Sequence, residues 1–313
     1  MKAAIISMLG NVGTTLNSQG GGYGLICTKM VKDYNELEQL DVNPDPSTWS
    51  QYDMLYVCEG VNFTGSFNIP GGIQPEHVEK MKAIADYKGD LQFVNKAFDF
   101  DMFNQKRVKL EGAQFKQARV VDYFYETAQQ TKKIVIGDSH ALSVWKPGYG
   151  LSFNPGKTLY GWLKTANAEE LNKYDEVILY FGNIDLRFHL CRQDIPVDAA
   201  IELFEQYIQF CKSLTCDVTL VELLPIEHES RKIPGTGLYK GQPFYGSRNL
   251  RMHLREVINH VIRNNGLKTL SWPNEWVDED GTKMMNEVLE QKQSVHIRPK
   301  HYRYITDITC SSK

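Results

Sequence analysis

The tetrapeptide Gly137-Asp138-Ser139-His140 follows the β-branched run Ile134-Val135-Ile136. A buried strand ending in a tight turn lifts a serine hydroxyl clear of the sheet edge. A helix starting there aims unbonded backbone N–H groups at an oxyanion formed beside it. Ser139 is the leading candidate nucleophile, flanked by Asp138 and His140. The same residue types also cap helices, so Asp138 or Ser139 could serve only the helix that follows. A second polar group, Asn183, Asp185, Arg187 and His189, lies just beyond the apolar run EVILYF and Gly182. Its members could pair with one another or bind an anionic or sugar group. A third, His296 with Arg298, Lys300 and His301, offers a general base or a solvated basic segment. Asp185, His189 and Cys191 match no standard zinc spacing, and no metal is expected.

These groups need a scaffold, and the apolar pattern supplies one. Strands are expected at Lys2–Met8, Met54–Cys58, Leu91–Val94, Ile134–Ile136, Glu176–Phe181, Val218–Leu224 and Lys268–Ser271, with helices at Leu25–Tyr34, Pro75–Tyr87, Val197–Ser213 and Ser247–Asn264. Alternation of this kind implies parallel sheets, here an α/β protein of two Rossmann-like units with a boundary near 125. Ligands of such sheets collect at the carboxyl ends of the strands, where Ser139 and the segment Gly182–His189 fall. The glycines Gly20, Gly21, Gly22 and Gly24 read as a loop before the first helix. They lack the spacing of a dinucleotide fingerprint or a P-loop. Arg248, Arg251 and Arg255, near Phe244 and Tyr245, form one helical stripe that reads as a solvated face or a nucleic-acid contact.

The 313 residues and the net charge of -3 exclude a general electrostatic pull toward nucleic acid. No apolar run approaches the ~20 residues that span a bilayer, and no signal peptide is evident. A cytoplasmic protein without a membrane partner is expected. Six scattered cysteines without CxxC pairs read as free thiols.

From about 132 to 302 the chain resembles the SGNH (GDSL) hydrolases, three-layer α/β/α esterases, deacetylases and acyl transferases. The resemblance runs through Gly137-Asp138-Ser139-His140, through Gly161 in GKTLYGW (Gly156 fits less well), through Gly182-Asn183-Ile184-Asp185 and through His296 in SVHIRPKHY. It implies Ser139 as nucleophile, His296 as base and an oxyanion hole from the Ser139 and Gly161 N–H groups. An acyl ester, of a carbohydrate or a modified nucleic acid, would be the substrate, and no cofactor would be needed. Two positions depart from the family pattern. Ile184 stands at its asparagine, with Asn183 one residue early, and Gln293 stands where an aspartate orients the histidine.

The segments MKAAIISMLGN, DVNPDPSTWSQYDMLYVCEGVNFTG and HVEKMKAIADYKGDLQFVNKAFDF, spread over about residues 1 to 101, are similar to the N-terminal domain of T-even phage DNA β-glucosyltransferases. That resemblance implies a possible DNA contact through the first domain, a nucleotide sugar as cosubstrate and Asp99 or Asp101 as the base. Three readings follow: acyl chemistry at Ser139 and His296, glycosyl transfer to hydroxymethylated DNA, or a noncatalytic binding module on the same scaffold.

Overall fold

The computed structural model describes residues 1–7, 21–58, 79, 82–84, 86–94, 117–118, 120–225, 241–277, 284–285, 287–289, 295–297 and 301–302. Asp99, Asp101, Gln293 and most of the helix expected at Pro75–Tyr87 lie outside them. The chain divides into two compact units, Met1–Tyr123 and Phe124–Ile297, the second also holding His301.

The first unit contains β1 (Ala3–Ser7), α1 (Gly21–Tyr34), β2 (Asp41–Val42), β3 (Met54–Cys58), β4 (Asp90–Val94) and β5 (Gln117–Ala118), together with the start of α2 (Val120–Thr131). Its strands pair in the order β2-β1-β3-β4-β5, all parallel. α1 starts at Gly21, so Gly21, Gly22 and Gly24 are helical and the loop expected there is corrected.

The second unit runs through β6 (Lys133–Gly137), β7 (Gly150–Phe153), α3 (Leu159–Leu163), α4 (Ala168–Leu171), β8 (Glu176–Tyr180), α5 (Asn183–Phe188), α6 (Pro196–Lys212), β9 (Asp217–Val221), α7 (Arg248–Arg263) and β10 (Lys268–Leu270). Its parallel sheet has the order β10-β9-β8-β6-β7. Counted from the first strand of each unit, both sheets read 2-1-3-4-5, a common doubly wound order whose direction reverses between strands 1 and 3. In the second unit that reversal lies between β6 and β8.

Both faces of the second sheet are covered. Ile134, Ile136, Val177 and Leu179 belong to one large apolar cluster with Trp162, Phe204, Tyr207 and Ile258. Their neighbours Val135, Ile178 and Tyr180, which point the other way along each strand, are equally buried. α6 begins with Pro196 at its first turn and buries Ala200, Leu203, Phe204, Tyr207, Ile208 and Cys211. That spacing makes one apolar stripe of a 3.6-residue period.

α7 shows a different economy. Ser247 caps it by accepting the Leu250 N–H. Asn259, fully buried, accepts the Leu223 N–H at 2.8 Å and donates to the Leu223 carbonyl at 3.2 Å. This satisfies both backbone groups of Leu223, two residues beyond the end of β9. Asn259→Ala would strand the Leu223 N–H in a dry environment, while the carbonyl keeps Arg255 as a donor. A loss of about 2 to 4 kcal/mol in unfolding free energy is expected by urea titration.

Two of the three arginines of the stripe are likewise structural. Arg251 is 7% exposed and donates to the carbonyls of Tyr245 and Gly246, while Arg255 donates to those of Leu223 and Leu224. These two side chains tie the helix to its own connecting segments, which corrects the reading of a solvated or nucleic-acid-binding face.

Among the described residues, no helix is long and apolar enough to cross a membrane. Cys27, Cys58, Cys191, Cys211 and Cys216 are free thiols.

Candidate active site

β6 delivers the GDSH turn to the reversal point of the sheet. Gly137, its last residue, pairs with Tyr180 of β8 and Phe153 of β7. The next residue extends the ladder, with the Asp138 N–H donating to the Tyr180 carbonyl at 3.1 Å. The chain then turns sharply, and the Ala141 N–H closes onto the Asp138 carbonyl at 3.1 Å. The expected helix is here a four-residue 3₁₀ turn, Ala141–Val144. Asp138 holds the turn rather than capping a long helix. Its Oδ1 accepts the His140 backbone N–H at 2.8 Å and lies 2.9 Å from His140 Nδ1.

Asp138 and His140 are buried, whereas Ser139 between them is half-exposed. Among the described residues no acceptor takes the Ser139 backbone N–H. Its Oγ lies 2.9 Å from His296 Nε2, across a sequence separation of 157 residues. The position of His296 follows from simple alternation. Val295 and Ile297 are buried, and Ile297 bridges to Leu289, so the residue between them faces the other way. Its imidazole lies over that of His140, with ring centroids 4.7 Å apart and planes tilted by 34°. His140 also meets the edge of Tyr180 at 5.9 Å. Burial pushes the His140 pKa below its ordinary value, against the opposing pull of the Asp138 carboxylate, and Arg187 adds to the lowering. His140 is therefore a neutral ring near pH 7, and because the Asp138 carboxylate only accepts, its Nδ1 carries the proton of their contact.

The segment after β8 divides its polar residues among separate jobs. Gly182 turns at φ 107° and opens α5. Asn183 is 1% exposed beside the Tyr180 hydroxyl. Its Nδ2 has no acceptor within hydrogen-bond distance among the described residues. Arg187, also buried, donates to the Asn183 carbonyl at 3.1 Å. Asp185 holds the start of α3, accepting the N–H of Leu159 at 2.6 Å and of Tyr160 at 3.2 Å. His189 ends α5 half-buried, its pKa lowered by burial and by Arg192.

Two oxyanion candidates need correction. The Gly161 N–H donates to Thr158 Oγ1 at 3.0 Å, the N-cap bond of α3, so that donor is already engaged. The Asn183 amide is sealed from solvent, so a substrate carbonyl cannot reach it in this conformation. Of the donors considered, the Ser139 N–H alone remains open. Sequence reasoning did not anticipate the seating of α3 on Asp185 or the stacking of the two imidazoles. Neither has a local signal, since the partners lie 25 or more residues apart.

Burial pushes the Asp185 carboxyl up to about 6, and the field of Asp138 adds to this, against the lowering by the N–H groups of Leu159 and Tyr160. A carboxyl whose pKa is raised on folding binds more protons folded than unfolded. Its contribution to stability is full below about 4 and is lost as pH rises through about 6. Asp185→Asn should flatten that window. Urea midpoints measured from pH 4 to 7 should fall more steeply for the wild type, by on the order of 3 kcal/mol in total.

Among the described residues no cluster of His, Cys, Asp and Glu is arranged to hold a metal ion. The sequence matches no known family model and no curated protein.

Proposed function

We propose that the second unit is a serine esterase or acyl transferase of the SGNH type, with Ser139 as nucleophile and His296 as its base. The observation that carries this reading is the 2.9 Å approach of His296 Nε2 to Ser139 Oγ, at the sheet's reversal point where such folds bind ligands. His296 takes the hydroxyl proton as Oγ attacks an acyl carbonyl. The Ser139 N–H donates to the resulting oxyanion. Collapse of the tetrahedral species expels the alcohol, which receives the proton from His296. Water or a sugar hydroxyl, deprotonated by the same imidazole, then attacks the acyl carbonyl, and the bond to Ser139 Oγ breaks as His296 returns the proton to Oγ.

His140 supports this cycle as a positioning residue. Its neutral ring, anchored on Asp138, is the floor on which the His296 imidazole rests. With a single donor open, the oxyanion site lacks one contribution, worth about 100 to 1,000-fold in rate elsewhere. Activated esters should therefore react far better than amides. An acylated carbohydrate or modified nucleic acid is the substrate class proposed with this chemistry. The glycosyl-transfer reading has its candidate bases, Asp99 and Asp101, outside the described residues, and no observation favours it.

The test is labelling with a fluorophosphonate together with turnover of p-nitrophenyl acetate. A single adduct at Ser139 and steady release of p-nitrophenol support the acyl-enzyme. An unlabelled, inactive protein that is fully folded would return the unit to a binding role.

A further inference from the structure

The second unit contains another recess, a cleft of about 470 Å³ between α5, α6 and the start of α3. Neither Ser139 nor His296 lines it, so its ligand chemistry is independent of the acyl reaction. Its floor is Leu190, Leu203 and the buried Asp185 carboxyl. On α6, Glu202 and Gln206 stand one turn apart on its wall, with the Gln206 amide donating to the Glu202 carboxylate at 3.2 Å. His189, Gln193 and Tyr160 complete the rim, and the Tyr160 ring is 57% exposed.

The volume lies within the range of small-molecule sites, about 300 to 1,000 Å³. The lining narrows the class of occupant. Carboxylates only accept hydrogen bonds, amides donate and accept, and a neutral imidazole does one of each. Such a set suits a ligand whose groups are themselves both donors and acceptors, which describes hydroxyls. The apolar floor and the tyrosine suit the C–H faces of a ring. Among the described residues no lysine or arginine lines the cleft, which disfavours an anion. The Lys164 ammonium sits 4.0 Å over the Tyr160 ring, and Arg192 acts electrostatically on His189. These cations at the edge offset the acidic groups, which removes the driving force for a cationic ligand.

We infer that this cleft binds a neutral, hydroxyl-rich ring, a single sugar residue, through the exposed Glu202, Gln206 and Gln193 with Tyr160 as a flat wall. The probes are methyl α-D-glucopyranoside, methyl β-D-galactopyranoside and N-acetylglucosamine, followed by saturation-transfer NMR on the full chain. Saturation of at least one probe is expected. It should fall at least 5-fold in Ala199→Trp, which fills the cleft from α6, and in Glu202→Ala, an exposed change that leaves the core intact. Ester turnover measured on the same samples reports separately on Ser139, and both variants should retain it. The inference is overturned if no neutral probe is saturated, if both variants bind as the wild type does, or if tetramethylammonium or inorganic phosphate displaces the sugar at equal concentration.

Discussion

Ser139→Ala is expected to lower turnover of p-nitrophenyl acetate by about 1,000-fold or more while leaving stability within about 0.5 kcal/mol of wild type. The two halves of that expectation come from the same geometry. Ser139 Oγ has one partner, His296 Nε2 at 2.9 Å, and the residue is half-exposed, so its removal opens no sealed cavity. The reaction, however, loses the atom that forms the acyl-enzyme. His296→Gln should cost nearly as much, because an amide at that position cannot take the proton. The double variant should be little worse than either single change, since a nucleophile and its base act as one unit. Residual rate in all three would come from the Ser139-position N–H and from binding alone. Burst kinetics with p-nitrophenyl acetate discriminate most sharply. An initial stoichiometric release in the wild type and none in Ser139→Ala fits an acyl-enzyme. A variant that kept the burst would place the nucleophile elsewhere.

Seven of the ten described strands were legible as short apolar runs, the pattern of strands buried on both faces, whereas β2, β5 and β7, only two to four residues long, carry no such run. α6 and α7 were legible from their helical period, to within a residue at each end. Gly21, Gly22 and Gly24 misled because glycine is a poor helix former when taken alone. Arg251 and Arg255 misled for the opposite reason. Their spacing is that of a solvated stripe, and nothing local announces that carbonyls of Leu223, Leu224, Tyr245 and Gly246 lie opposite.

At the site the chemistry-bearing residue types were visible, but their partners were not. Asp185, Arg187 and His189 form one cluster in sequence, yet helical geometry separates them. Residues two apart face different ways, so Asp185 reaches α3 while Arg187 turns toward the Asn183 carbonyl and the field around His140. His189, four residues from Asp185, does share its face, and both line the cleft. A short helix at 183–188 was the missing premise. Gly161 shows the same limit, because the Thr158 cap that engages its N–H is a local signal overshadowed by the family resemblance.

Gly137→Ala should be among the most damaging single-methyl substitutions in the second unit. A Cβ at this position would sit 2.3 Å from the Tyr180 carbonyl oxygen and 3.1 Å from its carbon, both backbone atoms of the neighbouring central strand. A side chain can rotate away from such an intrusion, but a paired strand cannot. β6 and β8 would have to part at the point where the Asp138 N–H meets the same carbonyl. Roughly 3 kcal/mol or more of stability should be lost. Gly182→Ala provides a graded comparison. Its φ of 107° is unfavourable for alanine, and the nearest obstruction, at 2.5 Å, is the buried Phe204 ring, a side chain rather than paired backbone. Gly148→Ala, at φ 82° with nothing within 4 Å, isolates the backbone term at about 1 kcal/mol. Urea titrations of the three variants should therefore rank Gly137 above Gly182 above Gly148, and a Gly137→Ala loss below about 1 kcal/mol would contradict the close strand approach. The activity carries separate information. Parting β6 from β8 moves the turn that holds Ser139 while His296 stays anchored through Val295 and Ile297 on another segment. Ester turnover per folded molecule, measured well below the melting transition, should therefore fall in Gly137→Ala and be unchanged in Gly148→Ala, because only the former displaces one partner of the 2.9 Å contact.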